Sequence, residues 1–555
     1  MLNKKFCFLL CVLFIVFPAV AQEFLQEDPN AQQDQLDAPD TANGGETLPD
    51  EESQSKKDAP APALQRNFVI IDAGHEYDLD PHTATYSSEA QILSGIYEGL
   101  YSYDPVTLDP VPALAISYKI SRDKKRWTFK LRDNALFSNG DPITASVIRD
   151  SWLSLLATPD APYASLLDCI TGAAEYRNGK CSADDVGIIA RDDATLVVTL
   201  NSPTAHLQRI LCHHAFSAVS TKENVYSGAF AVQEYAKGKL ILVRNEAYWD
   251  KKNVALPQIT VFQSDDLAEN TWKYNKGDAD WISGMVDTQK LLSKDSIRIA
   301  AEFGTEYLFF SCKNEPWTNP DLRNALLTAV PWKELRANSL VPATTLVYPL
   351  TGYPTVEGLS DDDADEALML MKAARKSAGI AQDKVLTITF GISGSERMKK
   401  EAELLKAAWE PLGVNLVVQT TPEDRYLTSI SGWNADLFSY SWIGDFADPL
   451  AFLELFRDGS TLSESKWTND KFSQLLAQAA DTTSTTEHYN LLAQAEQVLL
   501  DSGVVLPISH PVSLHAIDLQ SVGGWSTNAL DIHPFKYLYL KQNTSSLKNL
   551  ILTMR

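Results

Sequence analysis

An α/β fold divided into two or three lobes is what this sequence predicts, on three observations. At 555 residues, 45% of them hydrophobic, the chain is longer than one apolar core usually supports. From Phe68 onward, runs with strand character interleave with runs of helical period. Over 385–418 a strand, a helix and a second strand follow one another with short connections, the pattern of a parallel sheet.

The elements can be justified in chain order. Lys4 and Lys5 stand before the apolar run Phe6 to Phe17, and Ala19-Val20-Ala21 supplies small residues for cleavage before Gln22, so residues 1–21 read as an export signal. Lipid attachment at Cys11 and an uncleaved anchor are the second and third readings. Residues 22–66 hold eleven acids, three bases and almost nothing apolar, the composition of a disordered tether. Phe68 to Ile71 reads as a buried strand. Ala90, Leu93, Ile96, Tyr97 and Leu100 then repeat at helical spacing behind a capping box of Ser88 and Gln91. Trp127, Phe129 and Leu131 alternate with polar residues and pair, through the turn Asp123 to Arg126, with Ser117 to Ile120.

Pro320 opens a short amphipathic helix carrying Leu322, Ala325, Leu326 and Ala329, which Pro331 stops. A second helix spans Asp361 to Ala378, with three Asp at its positive end, Arg375 and Lys376 at its negative end and Gly379 beyond. Val385 to Phe390, Glu396 to Pro411 and Val414 to Val418 form the strand–helix–strand unit. Residues 542–555 read as a loose extension, weakly helical over Leu547 to Leu552.

Charge and motifs exclude several functions. With 72 acidic against 48 basic residues the net charge is -24, which repels phosphate backbones and disfavours anionic membranes, so no nucleic-acid partner is expected. Past the signal only Cys169, Cys181, Cys212 and Cys312 remain, too few for a disulfide framework; Cys169 with Cys181 is the most local pairing open to them. Cys212-His213-His214 lies in an apolar stretch without a second ligand pair and reads as ordinary packing rather than a metal site. Gly391-Ile392-Ser393-Gly394-Ser395 fails the nucleophile-elbow pattern, and His75-Glu76 lacks the His that a zincin requires. No phosphate-binding or dinucleotide motif occurs, so neither a cofactor nor a catalytic role is expected. Asp445 and Asp448 form a carboxylate pair with no His or Lys near them in sequence.

A set of phrases occurs in a fixed order: Tyr97-Glu98-Gly99-Leu100, Trp127 to Arg132, Phe137 to Ala145, Pro162-Tyr163-Ala164-Ser165, Ser227 to Phe230, Tyr248-Trp249, Gly277 to Asp280, Leu322 to Leu326, and Ser441 to Pro449. In this order they resemble the oligopeptide and dipeptide family of solute-binding proteins that serve ABC importers, over about residues 67–541. The chain departs from the family's usual phrasing at Val330-Pro331-Trp332 and at Tyr226 to Phe230, both scaffold positions.

The resemblance implies a two-lobed periplasmic-binding-protein (Venus flytrap) fold with an extra third domain. Domain I takes 67–97, 216–300 and 517–541, domain II 98–215 and domain III 301–516. It also implies an exported monomer in the periplasm that closes on oligopeptides and delivers them to ABC permease subunits. A receptor of the same fold for a nickel complex, haem or sugar is the alternative, with an exported hydrolase or adhesin behind it.

A peptide amine enclosed between lobes needs a carboxylate in place of water. The resemblance puts Asp445 in that role, with Trp442, Ile443, Gly444 and Phe446 around it. Thr85, Tyr86 and Ser87 are the segment expected to pair with peptide backbone, and Tyr163 a wall of the cavity. No base adjoins the Asp445 phrase, so several peptide lengths should be tolerated.

Overall fold

The computed structural model describes residues 66–541 apart from 205, 237, 423, 424, 445 and 483. The expected leader 1–21, residues 22–65 of the expected tether, the expected extension 542–555 and Asp445 lie outside the described residues.

Two sheets organise the chain. The first has seven strands in the order Ile297–Ala301, Val512–Ile517, Trp281–Ser283, Phe68–Asp72, Gln258–Gln263, Lys239–Arg244 and Phe230–Ala236. Phe68–Asp72 runs parallel to both its neighbours. The second has six strands in the order Val341–Pro342, Val505–His510, Gly304–Phe310, Leu437–Ile443, Leu386–Ser393 and Val414–Thr421. Leu386–Ser393 is parallel to Val414–Thr421 and to Leu437–Ile443, as the strand–helix–strand reading requires. Inserted in sequence between strands of the first lobe, the extra domain carries a four-stranded antiparallel sheet that includes the hairpin Ala115–Ile120 with Arg126–Leu131.

The helices of the second lobe end where their chemistry dictates. In Pro320–Thr328 the Asn319 side chain accepts from the Asp321 N–H, Pro occupies the first turn, and Leu322, Ala325 and Leu326 are buried. Ala364–Ser377 is capped by Asp363 and followed by Gly379 at φ +68°. Glu396–Trp409, capped by Ser395, buries Met398, Ala402, Leu405 and Trp409. Its Trp409 indole donates to the Leu326 carbonyl at 3.0 Å, tying it to the Pro320 helix.

The chain crosses between the two large sheets twice, and the crossings touch. It leaves the first sheet at Ala301 and enters the second at Gly304; it returns from His510 to Val512 through Pro511. The Glu302 N–H donates to the Pro511 carbonyl at 2.9 Å. The boundary expected at 516/517 therefore moves to Pro511, because Val512–Ile517 pairs with Ile297–Ala301 and Trp281–Ser283 of the first sheet. Two short adjacent crossings permit one rigid lobe to rotate on the other.

The phrases of the scaffold converge in space. Buried Glu98 accepts from Tyr248 Oη at 2.5 Å and Trp249 Nε1 at 2.6 Å and pairs with Lys536 at 3.1 Å, so three distant segments meet on one carboxylate. The first lobe has its own apolar cluster around Phe68, Leu242, Val261 and Trp281. The extra domain and the second lobe share another, continuous from Leu100 through Phe216 and on to Phe303 and Ile508.

All four described cysteines are free thiols. The pairing of Cys169 with Cys181 is not made: Cys169 Sγ donates to the Leu166 carbonyl and Cys181 Sγ to that of Gly172, each held by its own turn.

Candidate functional site

Parallel strands present ligand sites at their carboxyl ends. In the second lobe those ends are Ser393, Thr421 and Ile443, and the antiparallel neighbours bring Gly304 and His510 to the same edge. In the first lobe they are Asp72, Gln263 and Ser283. The hinge crossings at 302–303 and 511 leave from these same ends, so the crevice between the lobes opens there.

On the second lobe, Trp442 and Ile443 end the strand Leu437–Ile443, opposite Thr305 and Gly304. Trp442 is partly buried; its indole N–H donates to the Ala451 carbonyl at 3.0 Å, and its ring stacks on Tyr440. Gly444 donates its N–H to the Phe303 carbonyl at 2.7 Å, and a Cβ there would come within 2.5 Å of the Phe303 ring. Only glycine fits against the hinge at that point. Phe446 is fully buried, its ring parallel to that of His206 from the extra domain at 6.3 Å between centroids. Trp442, Ile443, Gly444 and Phe446 are thus brought together at the hinge edge. Gly444 and Phe446 sit there as packing residues rather than as exposed contacts.

Asp448 has a partner that sequence proximity hides. His488, forty residues on, places Nε2 at 3.1 Å from both Asp448 oxygens while its Nδ1 faces the Ala479 carbonyl at 2.9 Å. Both ring nitrogens face acceptors, so both carry protons and the ring is an imidazolium. Against the burial that opposes ionisation, the Asp448 hydrogen bond holds the His488 pKa above its ordinary value; His488 in turn holds Asp448 below its own. This pair clamps the segment that follows Phe446 onto the helix Thr485–Asp501.

The remaining expected residues lie elsewhere. Tyr163 is 4% exposed and packs on His213 at 4.3 Å and His214 at 5.8 Å, a core residue of the extra domain rather than a cavity wall. Burial lowers the pKa of both histidines, which fits packing rather than ligation. Thr85, Tyr86 and Ser87 are exposed on the first lobe. The helix begins at Ser87 behind Tyr86, and Glu89 takes the part expected of the Ser88–Gln91 box. Its carboxylate accepts the N–H of Thr85 and of Tyr86 at 3.0 Å each and that of Asp78 at 2.9 Å, and His75 Nε2 lies 2.9 Å away. Burial opposes ionisation of Glu89, but His75 and these donors outweigh it and lower its pKa. Two backbone donors that an added peptide strand would engage are already occupied.

Sequence reasoning missed the charged floor beside the hinge. Glu306, opposite Ser441 and Ser509 in the sheet, accepts from Ser509 Oγ. Arg397, in the first turn of its helix, lies 2.6 Å from Glu401 and 4.0 Å from Glu306. The position of Arg397 at a helix N-terminus directly after a parallel strand was the available signal.

Comparisons with known proteins agree with this architecture. A family described as "Bacterial extracellular solute-binding proteins, family 5 Middle" matches residues 109–464. The dipeptide-binding protein DppE of Bacillus subtilis is 26% identical over 491 residues, covering 83% of this chain and 89% of that one. The oligopeptide-binding protein OppA of the same organism is 28% identical, covering 78% and 85%. The structure of the Escherichia coli murein tripeptide binding protein MppA superposes with a TM-score of 0.75 at 25% identity, over 87% of this chain and all of that one. The unliganded open form of MppA gives only 0.64.

Proposed function

The chain belongs to the bacterial extracellular solute-binding proteins of family 5, and from that premise we propose that it is an exported receptor which closes on oligopeptides and hands them to the permease subunits of an ABC importer. The observation that carries this reading is the coincidence of the two crossings with the carboxyl ends of the parallel strands in both lobes, where closure encloses whatever lies between them. The lower score against an open form than against the other MppA structure is in keeping with a closed arrangement. The reading includes no catalytic step and no cofactor: the protein acts as a monomer in the periplasm by binding and release.

Asp445 is the anchor for the peptide amine in this proposal. It follows Gly444, whose backbone is fixed to the hinge, and precedes buried Phe446, so both its chain neighbours are held. Replacing one partner of a buried charge pair costs roughly 3 to 5 kcal/mol, or two to four decades of affinity. Calorimetry with one peptide, free and N-acetylated, is the test: Asp445→Asn should weaken the free peptide by that amount and leave the acetylated one nearly unchanged. Equal binding of free and acetylated peptide to the unaltered protein would remove the amine anchor. A nickel complex, haem or sugar found by native mass spectrometry would replace peptide as the ligand.

A further inference from the structure

The floor of the crevice beside the hinge carries more negative charge than its own cation neutralises. Glu306 lies two residues past Gly304, and its Cα partners across the sheet are Ser441 on one side and Ser509 on the other, so the three side chains share one face. Ser441 belongs to a strand with neighbours on both sides, yet it is exposed. The sheet face is therefore open at its hinge end. Ser509 Oγ donates to Glu306 Oε2, whereas the basic group that faces Glu306 Oε1 among the described residues is Arg397 at 4.0 Å, beyond hydrogen-bond distance.

Arg397 is committed elsewhere. Its guanidinium bonds Glu401 Oε1 at 2.6 Å. Glu401 is 5% exposed, and its second oxygen, Oε2, is buried with no hydrogen-bond partner among the described residues. Two carboxylates thus share one guanidinium, and an acceptor left unsatisfied in the interior is a standing electrostatic demand for a further cation. Burial, ahead of the opposing pull of Arg397, raises the pKa of the Glu401 carboxyl, the response expected of an under-compensated acid.

We propose that Glu306, backed by Glu401 and flanked by Ser441 and Ser509, is a subsite for a basic side chain of the bound peptide. This rests on the peptide-receptor reading above. An ammonium or guanidinium entering over Ser441 meets Glu306 Oε1 directly and lets Arg397 settle wholly on Glu401, so that each carboxylate gains its own cation. The hydroxyls of Ser441 and Ser509 complete the donor and acceptor set around a small cationic head group. The site repels a carboxylate, so Arg397 is no anchor for a peptide C terminus.

The test is calorimetry of the mature protein with matched peptides in which one lysine is replaced by norleucine, each made with a free and with an acetylated N terminus. The acetylated arms separate a lysine side chain from the terminal amine as the source of the cation. The unaltered protein should bind the lysine form about tenfold or more tightly than the norleucine form in both the free and the acetylated pair. Glu306→Gln keeps an acceptor for Ser509 and should bring the ratio to within about twofold, with an unaltered cooperative denaturation transition as proof that the variant is folded. Equal binding of lysine and norleucine forms by the unaltered protein would overturn the subsite while leaving the receptor standing. A lysine preference that survives Glu306→Gln would place it elsewhere. Failure of every peptide to bind would overturn the receptor reading itself.

Discussion

The buried imidazolium of His488 shows how one proton can hold a functional segment in place. His488 and Asp448 are 6% and 4% exposed, so neither charge has water to fall back on. Removing one partner of such a pair costs about 3 to 5 kcal/mol, and His488→Gln should lower stability toward denaturant by that order. The pH dependence has a defined sign. The pKa of His488 is raised, so its contribution is complete below the ordinary histidine value and is lost as pH rises through the raised one. That of Asp448 is lowered, so its contribution is present above the ordinary carboxylate value and is lost as pH falls through the lowered one. Stability of the unaltered protein should therefore decline as pH rises above the ordinary histidine value, and that of His488→Gln should be flatter there. Identical slopes would mean that the ring is neutral in the folded state.

At the scale of elements, the segment Glu454 to Thr461 straps the second lobe to the extra domain. Arg457 bonds Glu454 at 2.7 and 2.8 Å and reaches Asp168 at 3.4 Å; Arg177 bonds Asp168 at 2.7 Å and reaches back to the Gly459 carbonyl at 3.1 Å. Thr461 Oγ1 donates to the Pro162 carbonyl at 2.8 Å. These contacts join the two bodies, so Arg457→Met should lower stability toward denaturant by about 0.5 to 3 kcal/mol. A double-mutant cycle with Asp168→Asn isolates the part that crosses between them, expected at about 0.5 to 3 kcal/mol. A coupling of zero would make Arg457 incidental to the joint between the two bodies.

What the sequence made legible at this scale was whatever is local. The helical period of Glu396–Trp409, the proline that opens Pro320–Thr328 and the alternation of Arg126–Leu131 are decided within a few residues, and each appears. The start of Ser87–Ile96 shifts because a charged Glu89 collects three loop donors and displaces the weaker Ser88–Gln91 box. The change of sheet at Pro511 was hidden because strand-forming residues lie on both sides of it, and the choice of strand partners distinguishes the two halves of Val505 to Ile517. His488 on Asp448 and Glu306 beside Arg397 depend on contacts dozens of residues apart, which spacing does not encode. The phrase that singles out Trp442 to Phe446 falls at the end of the strand Leu437–Ile443 beside the hinge, but spacing does not disclose the charges near it.

For the whole molecule, the hinge itself carries a proton. Glu302, 9% exposed, joins the two sheets at the first crossing, and its N–H bonds the second at Pro511. Burial first, then the nearby carboxylates of Asp531 and Glu306, push its carboxyl up to about 8. The nearby basic groups do not relieve it: His515 at 2.8 Å and His533 at 3.2 Å serve Asp531, Arg397 bonds Glu401 at 2.6 Å, and His510 Nδ1 faces the Gly304 carbonyl. Closed, the hinge therefore keeps Glu302 protonated at neutral pH. Rotation about the two crossings that admits water returns the group toward the ordinary carboxylate value of about 4.3, where it is ionised. The closed state binds up to one more proton than the open one across that interval, so closure weakens with rising pH by up to about 1.4 kcal/mol per unit and levels off above about 8. Because closure and ligand capture are linked, peptide binding at pH 7 should take up close to one proton, read from calorimetry in buffers of different ionisation enthalpy. Glu302→Gln should abolish that uptake and flatten the fall in affinity between about pH 6 and 8. The same uptake in the variant would show that Glu302 keeps its surroundings when the lobes part, and that the hinge opens without wetting its carboxyl.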